Sequence, residues 1–119
     1  MVLERTNARA LEPSMLDAVP DLVTMDVSFI SLALLLPAVA AVVRRGGTIV
    51  AMVKPQFEAG RGQVGKGGVV RDPALHESVC RRISAWLDTL PGWRVIGVTP
   101  SPLLGPKGNR EFLIAARHE

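Results

Sequence analysis

GGTIVAMVKP, residues 46–55, sets two glycines before a short apolar run that stops at one basic residue, Lys54, ahead of Pro55. DLVTMD, residues 21–26, has the same form and stops at Asp26. An apolar run that closes on a single polar residue predicts a strand buried on both faces of a parallel sheet, with the polar residue emerging at its carboxyl end. The two runs bracket the apolar segment Ile30–Val43. Strand, helix, strand is therefore the expected order. In open α/β sheets the carboxyl ends of the strands line the ligand crevice, so Asp26 and Lys54 form a candidate site.

Outward from this pair, Ser31 is an expected N-cap for a helix running to just before Gly46-Gly47, with Arg44-Arg45 in its last turn. Pro37 leaves two readings open, a kink inside that helix or a first turn that begins at the proline. Upstream, Met1–Glu4 reads as the remnant of a short strand, and Ala8–Ala18 as a loop with one helical turn. Downstream, Gln56–Asp72 reads as a Gly-rich, partly basic loop. Asp72-Pro73 then opens a helix carrying Leu75, Val79, Ile83, Trp86, Leu87 and Leu90 on one face, terminated by Pro91-Gly92. Trp93–Thr99 and Glu111–Ala116 are the last two strands, an antiparallel pair at one edge, with Glu111 at a strand end. The fold class is α/β.

Two motifs in the Gly-rich loop fail on inspection. Gly60-Arg-Gly62-Gln-Val-Gly65 fits GxGxxG, but a dinucleotide fingerprint joins a strand directly to a helix, and here two glycines, two valines and a proline intervene. Gly60–Lys66 matches the start of a P-loop, yet residue 67 is Gly where a metal-binding hydroxyl is required. What remains is a flexible segment beside Lys54, with Arg61, Lys66 and Arg71 available to phosphates and glycines that admit a bulky partner.

The 119 residues amount to one domain at most and fall short of the roughly 150 of a complete doubly wound enzyme. Aromatics are only 4%, so the core is expected to be aliphatic. A net charge of +3 permits a nucleic-acid partner without requiring one. One cysteine, Cys80, excludes an intramolecular disulfide, and two histidines give no metal-ligand spacing, so a reducing cytoplasm and no structural metal are expected. Glu4 and Arg5 interrupt any leader pattern, and the start reads as internal. No membrane span is expected, because the unbroken apolar part Leu32–Val43 is shorter than the roughly 20 residues a crossing needs.

DLVTMDVSFIS, IVAMVKPQFEAGR, GVVRDP and SPLLGPKGNREFL, in this order, resemble the carboxyl-terminal motifs of the TlyA family, which is similar to FtsJ-type RNA ribose 2′-O-methyltransferases. The resemblance covers nearly the whole chain. It implies the carboxyl-terminal part of a Rossmann-like methyltransferase fold, mostly parallel with a terminal antiparallel hairpin, using S-adenosylmethionine on RNA, with ribosomal RNA as the expected substrate. Of the family's Lys-Asp-Lys-Glu tetrad it matches Asp26, Lys54 and Glu111 to the last three members. The first lysine, the Gly-rich cofactor motif and the amino-terminal RNA-binding domain have no counterpart here, so residues 1–119 read as one partial methyltransferase domain.

By that resemblance Asn7, Asp26 and Ser28 are the cofactor-binding candidates, Asn7 at the adenine edge and Asp26 at the methionine end. Gln56, Arg61, Lys66 and Arg71 face the RNA. Lys54, oriented by Asp26 and Glu111, stabilises or deprotonates the ribose hydroxyl. The chain alone is expected to lack methyl transfer and to self-associate through unpaired strand edges. The competing readings are a non-catalytic RNA-binding module and, since family members have carried the name haemolysin, a membrane-active protein.

Overall fold

The computed structural model of the protein describes residues 8–65 and 67–119. The strand expected at Met1–Glu4, together with Asn7 and Lys66, lies outside them. Four strands form one sheet: β1 (Leu22–Met25), β2 (Thr48–Val53), β3 (Trp93–Pro100) and β4 (Phe112–His118). Their spatial order is β1-β2-β4-β3. β1 and β2 are parallel neighbours, and β4 runs antiparallel to both β2 and β3. The hairpin at the edge is thus as expected. Among the described residues, β1–β2 is the parallel pair and the other two pairs are antiparallel.

The helices α1 (Leu32–Ala40) and α3 (Pro73–Asp88) share one core with the sheet. Leu32, Leu35, Leu36 and Val39 of α1 meet Val79, Ile83 and Leu87 of α3 over alternate strand residues, Ile49, Ala51 and Val53 from β2 and Ile114 and Ala116 from β4. β2 is therefore not buried equally on both faces. Ile49, Ala51 and Val53 are fully covered, while Thr48, Val50 and Met52, pointing to the other side, are half-buried. The period-2 alternation of a pleated strand separates the two sets.

Several boundaries move from their expected places. α1 starts after Ser31, whose hydroxyl accepts from the Ala33 amide, and is continuous through Pro37. It ends at Ala40, so Arg44 and Arg45 lie beyond it. The chain turns instead, with the Arg44 amide donating to the Pro20 carbonyl and Gly46 at φ +82°, where glycine alone is unstrained. α3 stops at Asp88, before Leu90. The segment ahead of α1 makes two 3₁₀ turns, Ala8–Ala10 and Pro13–Met15, rather than one.

The Gly-rich loop is more ordered than its composition suggests. It opens with a helical turn, α2 (Pro55–Glu58), for which Pro55 is preset at the first position. It ends with Val69 and Val70 buried. The Asn109 side chain, itself buried, accepts from the Val70 amide at 3.0 Å and donates to the carbonyls of Gly68 and Pro106 at 3.1 Å each. His76 Nε2 is 2.7 Å from the Val70 carbonyl.

Candidate active site

Parallel pairing puts the carboxyl ends of β1 and β2 side by side, and the residues that follow them meet. Lys54 Nζ lies 2.5 Å from Asp26 Oδ1 and donates to Ser28 Oγ at 3.2 Å. The Lys54 side chain is 11% exposed and that of Asp26 68%. An ion pair with one partner this open adds little stability. Its consequence is geometric, since the ammonium is fixed at the mouth of the sheet.

β4 starts at the same end of the sheet and runs away from it, antiparallel to β2. Val53 pairs with Phe112 in the last registered position of β2 and β4, so Lys54 and Glu111 stand next beyond it on the two strands. Glu111 precedes β4 rather than opening it, and it is buried at 4% exposure. Its carboxylate Oε2 accepts from Gln56 Nε2 at 2.8 Å. No ion pair joins Glu111 to Lys54 among the described residues, so Asp26 alone of the two acids holds the lysine directly.

The remaining candidates divide. Ser28 touches Lys54, as above. Gln56, expected at RNA, is turned onto Glu111. Arg71 is exposed, near Gly65. Of Arg61 the backbone alone is described, within a 3₁₀ turn at Arg61–Gln63.

Sequence reasoning missed four features here. Glu58, expected as part of a loop, is buried and accepts from the Leu32 amide at 2.8 Å and the Ser31 hydroxyl at 2.7 Å, so a carboxylate caps the start of α1. Arg82 donates to the Glu58 backbone carbonyl at 2.6 Å and ties the turn to α3. Asn109 clamps the Gly-rich loop. Phe29, three residues after Asp26, is 89% exposed at φ +65° and meets Phe57 with ring centroids 4.9 Å apart. The one signal the sequence held for it was an aromatic residue placed three positions after a strand-end acid. These rings, with Gln56, Val64, Lys107 and Asn109, line a cleft of about 340 Å³.

Burial pushes the thiol of Cys80, on α3, up to about 11. No group of His, Cys, Asp and Glu side chains among the described residues is arranged to hold a metal ion. No helix among them is long and apolar enough to cross a membrane.

A lysine and two carboxyl residues thus stand at one end of an α/β sheet. The chain belongs to the FtsJ-like methyltransferase family, whose sequence profile matches residues 1–118. Among its relatives is the 16S/23S rRNA (cytidine-2′-O)-methyltransferase TlyA of Mycobacterium tuberculosis, 50% identical over 117 residues that cover 98% of this chain and 43% of that protein. YqxC of Bacillus subtilis is 44% identical, over 96% of this chain and 41% of its own length. A solved structure from Lactococcus lactis, to whose description the word hemolysin is attached, superposes with a TM-score of 0.95 at 38% identity, over 100% of this chain and 57% of that one. The chain thus spans less than half the length of the curated relatives it matches.

Proposed function

We propose that this chain carries the catalytic side chains of an S-adenosylmethionine-dependent ribose 2′-O-methyltransferase acting on ribosomal RNA, as one part of a methyltransferase domain. The observation that carries the proposal is the Asp26–Lys54 pair at adjoining strand ends, with Glu111 one step beyond on β4. Bound S-adenosylmethionine supplies an electrophilic methyl group. The open carboxylate of Asp26 suits it in charge, being placed to pair with an ammonium at the carboxyl end of β1.

A ribose hydroxyl is a weak nucleophile, and transfer requires its oxygen in line with the methyl carbon and the leaving sulfur. Lys54 meets that need. Held by Asp26 and Ser28, its ammonium donates to the ribose oxygen and offsets the negative charge that develops there. Phe29 and Phe57, three residues on from Asp26 and from Lys54 in the chain, offer an aromatic surface on which a base can stack, a contact that tolerates any sequence. Arg71 with Arg61 and Lys66 would meet the RNA backbone, and Asn7 and Ser28 the cofactor. Ribosomal RNA as substrate implies action in the cytoplasm.

The test uses a chimera in which this chain replaces the matching part of the M. tuberculosis relative. Lys54→Ala should cut methyl transfer by about 100-fold or more while cofactor affinity stays within about threefold. Asp26→Ala should weaken both. A Lys54→Ala chimera with near-normal turnover removes Lys54 from the mechanism. Methyl transfer by the 119-residue chain alone would remove the partial-domain reading instead.

A further inference from the structure

Glu111 poses a physical problem, because a carboxylate at 4% exposure needs a donor, and among the described residues it has no cation against it. Gln56 Nε2 fills that need at 2.8 Å. The same carboxamide leaves its Oε1 buried without any partner, the one buried side-chain polar atom among the described residues in that condition. Turning the amide over would satisfy neither group, since it would set a carbonyl oxygen against the carboxylate. The Gln56 orientation is thus dictated by Glu111, and it persists at the cost of an orphaned acceptor. From the other side, Gly105 presses its backbone so closely on the carboxylate that an added Cβ would overlap it.

We propose that Gln56 is a positioning residue that fixes the Glu111 carboxylate at the catalytic end of the sheet, with Gly105 as the surface it is held against. The inference rests on the reading of Glu111 as part of the catalytic site. Gln56 sits two residues after Lys54, on the first turn of α2. The Lys54–Pro55–Gln56 segment therefore carries both the charge-bearing lysine and the donor that holds the opposing acid. A small shift of α2 moves the two together, which keeps their spacing constant.

The chimera described above again serves as the enzyme, with rRNA as substrate. Gln56→Met keeps the volume and removes the donor, and it should lower kcat by about 10- to 100-fold, the size expected when a hydrogen bond to a charged group is lost. KM for RNA and cofactor affinity should stay within about threefold. Introduced into a Glu111→Gln background, Gln56→Met should cost less than about twofold more, because the group it positions is already gone. The exchanged pair Gln56→Glu with Glu111→Gln restores a hydrogen bond with its polarity reversed. It should recover the melting temperature but not kcat.

Recovery of both would make the contact merely structural and overturn the proposal, as would additive losses in the double variant or a Gln56→Met enzyme with unchanged kcat. Full activity in Glu111→Gln alone would remove the reading of Glu111 beneath the proposal, and the proposal with it. If Gln56→Met fails to fold, Gln56→Leu, which also removes the donor, takes its place alone and in the Glu111→Gln background, and an unchanged kcat or additive losses there overturn the proposal equally.

Discussion

Gly105→Ala isolates the tightest contact in the site. Gly105 sits at φ −78°, a value alanine adopts freely, so the substitution adds no backbone strain. Its cost is steric. A Cβ there would lie 2.9 Å from Glu111 Oε1 and closer still to Oε2 and the carboxyl carbon, where ordinary contact begins at 3.4 Å. Glu111 or the loop must retreat by about 1 Å. Gln56 resists movement of the carboxylate from one side, and Asn109, which accepts at its own carbonyl from the Gly105 amide at 2.7 Å, resists movement of the loop from the other. Forcing a methyl into such a space costs about 1–3 kcal/mol. If Glu111 belongs to the catalytic site as proposed, a misplacement of this size should cost methyl transfer about 100-fold.

Urea denaturation followed by the fluorescence of Trp86 and Trp93 measures the first quantity in the 119-residue chain, and methyl transfer in the chimera measures the second. Gly62→Ala is the control, since nothing lies within 4 Å of its added Cβ. It should shift stability by less than about 0.5 kcal/mol. A Gly105→Ala protein with wild-type stability and turnover would show that the loop does not press on Glu111, and the geometric reasoning would fail.

Two further expectations concern groups outside the reacting centre. Glu58→Ala leaves the buried start of α1 without its carboxylate cap and frees the Ser31 hydroxyl, so stability should fall by about 2–4 kcal/mol, measured by the same denaturation; Glu58→Gln should lose less, because the amide oxygen still accepts from the Leu32 amide. Cys80, its thiol raised from the ordinary 9.0 to about 11 by burial, holds roughly 100-fold less thiolate than a free cysteine at pH 8. Alkylation by iodoacetamide should be slower by about that factor in the folded chain and normal in urea, with equal rates in the two states counting against a buried thiol.

The order of elements and the two strand-end charges were legible in the sequence because both follow from local rules. An apolar run of strand length closing on Asp26 or Lys54 needs no knowledge of the rest of the chain, and neither does Asp72-Pro73 at the start of α3 or Ser31 before α1. Helix ends were less legible. Arg44 and Arg45 lie beyond α1 because the Arg44 amide pairs with Pro20, 24 positions away, and no nearby residue announces that bond. The apolar character of β2 suggested two buried faces, whereas coverage depends on where α1 and α3 settle. Tertiary structure alone set Gln56 against Glu111, made Glu58 a cap for a helix 26 residues earlier in the chain, and tied Val70 and Gly68 to Asn109. Each of these is a polar group satisfied by a partner remote in sequence. Such pairings are set by the need to leave few buried donors and acceptors unmet once the chain is compact, a condition of the whole fold rather than of any stretch within it.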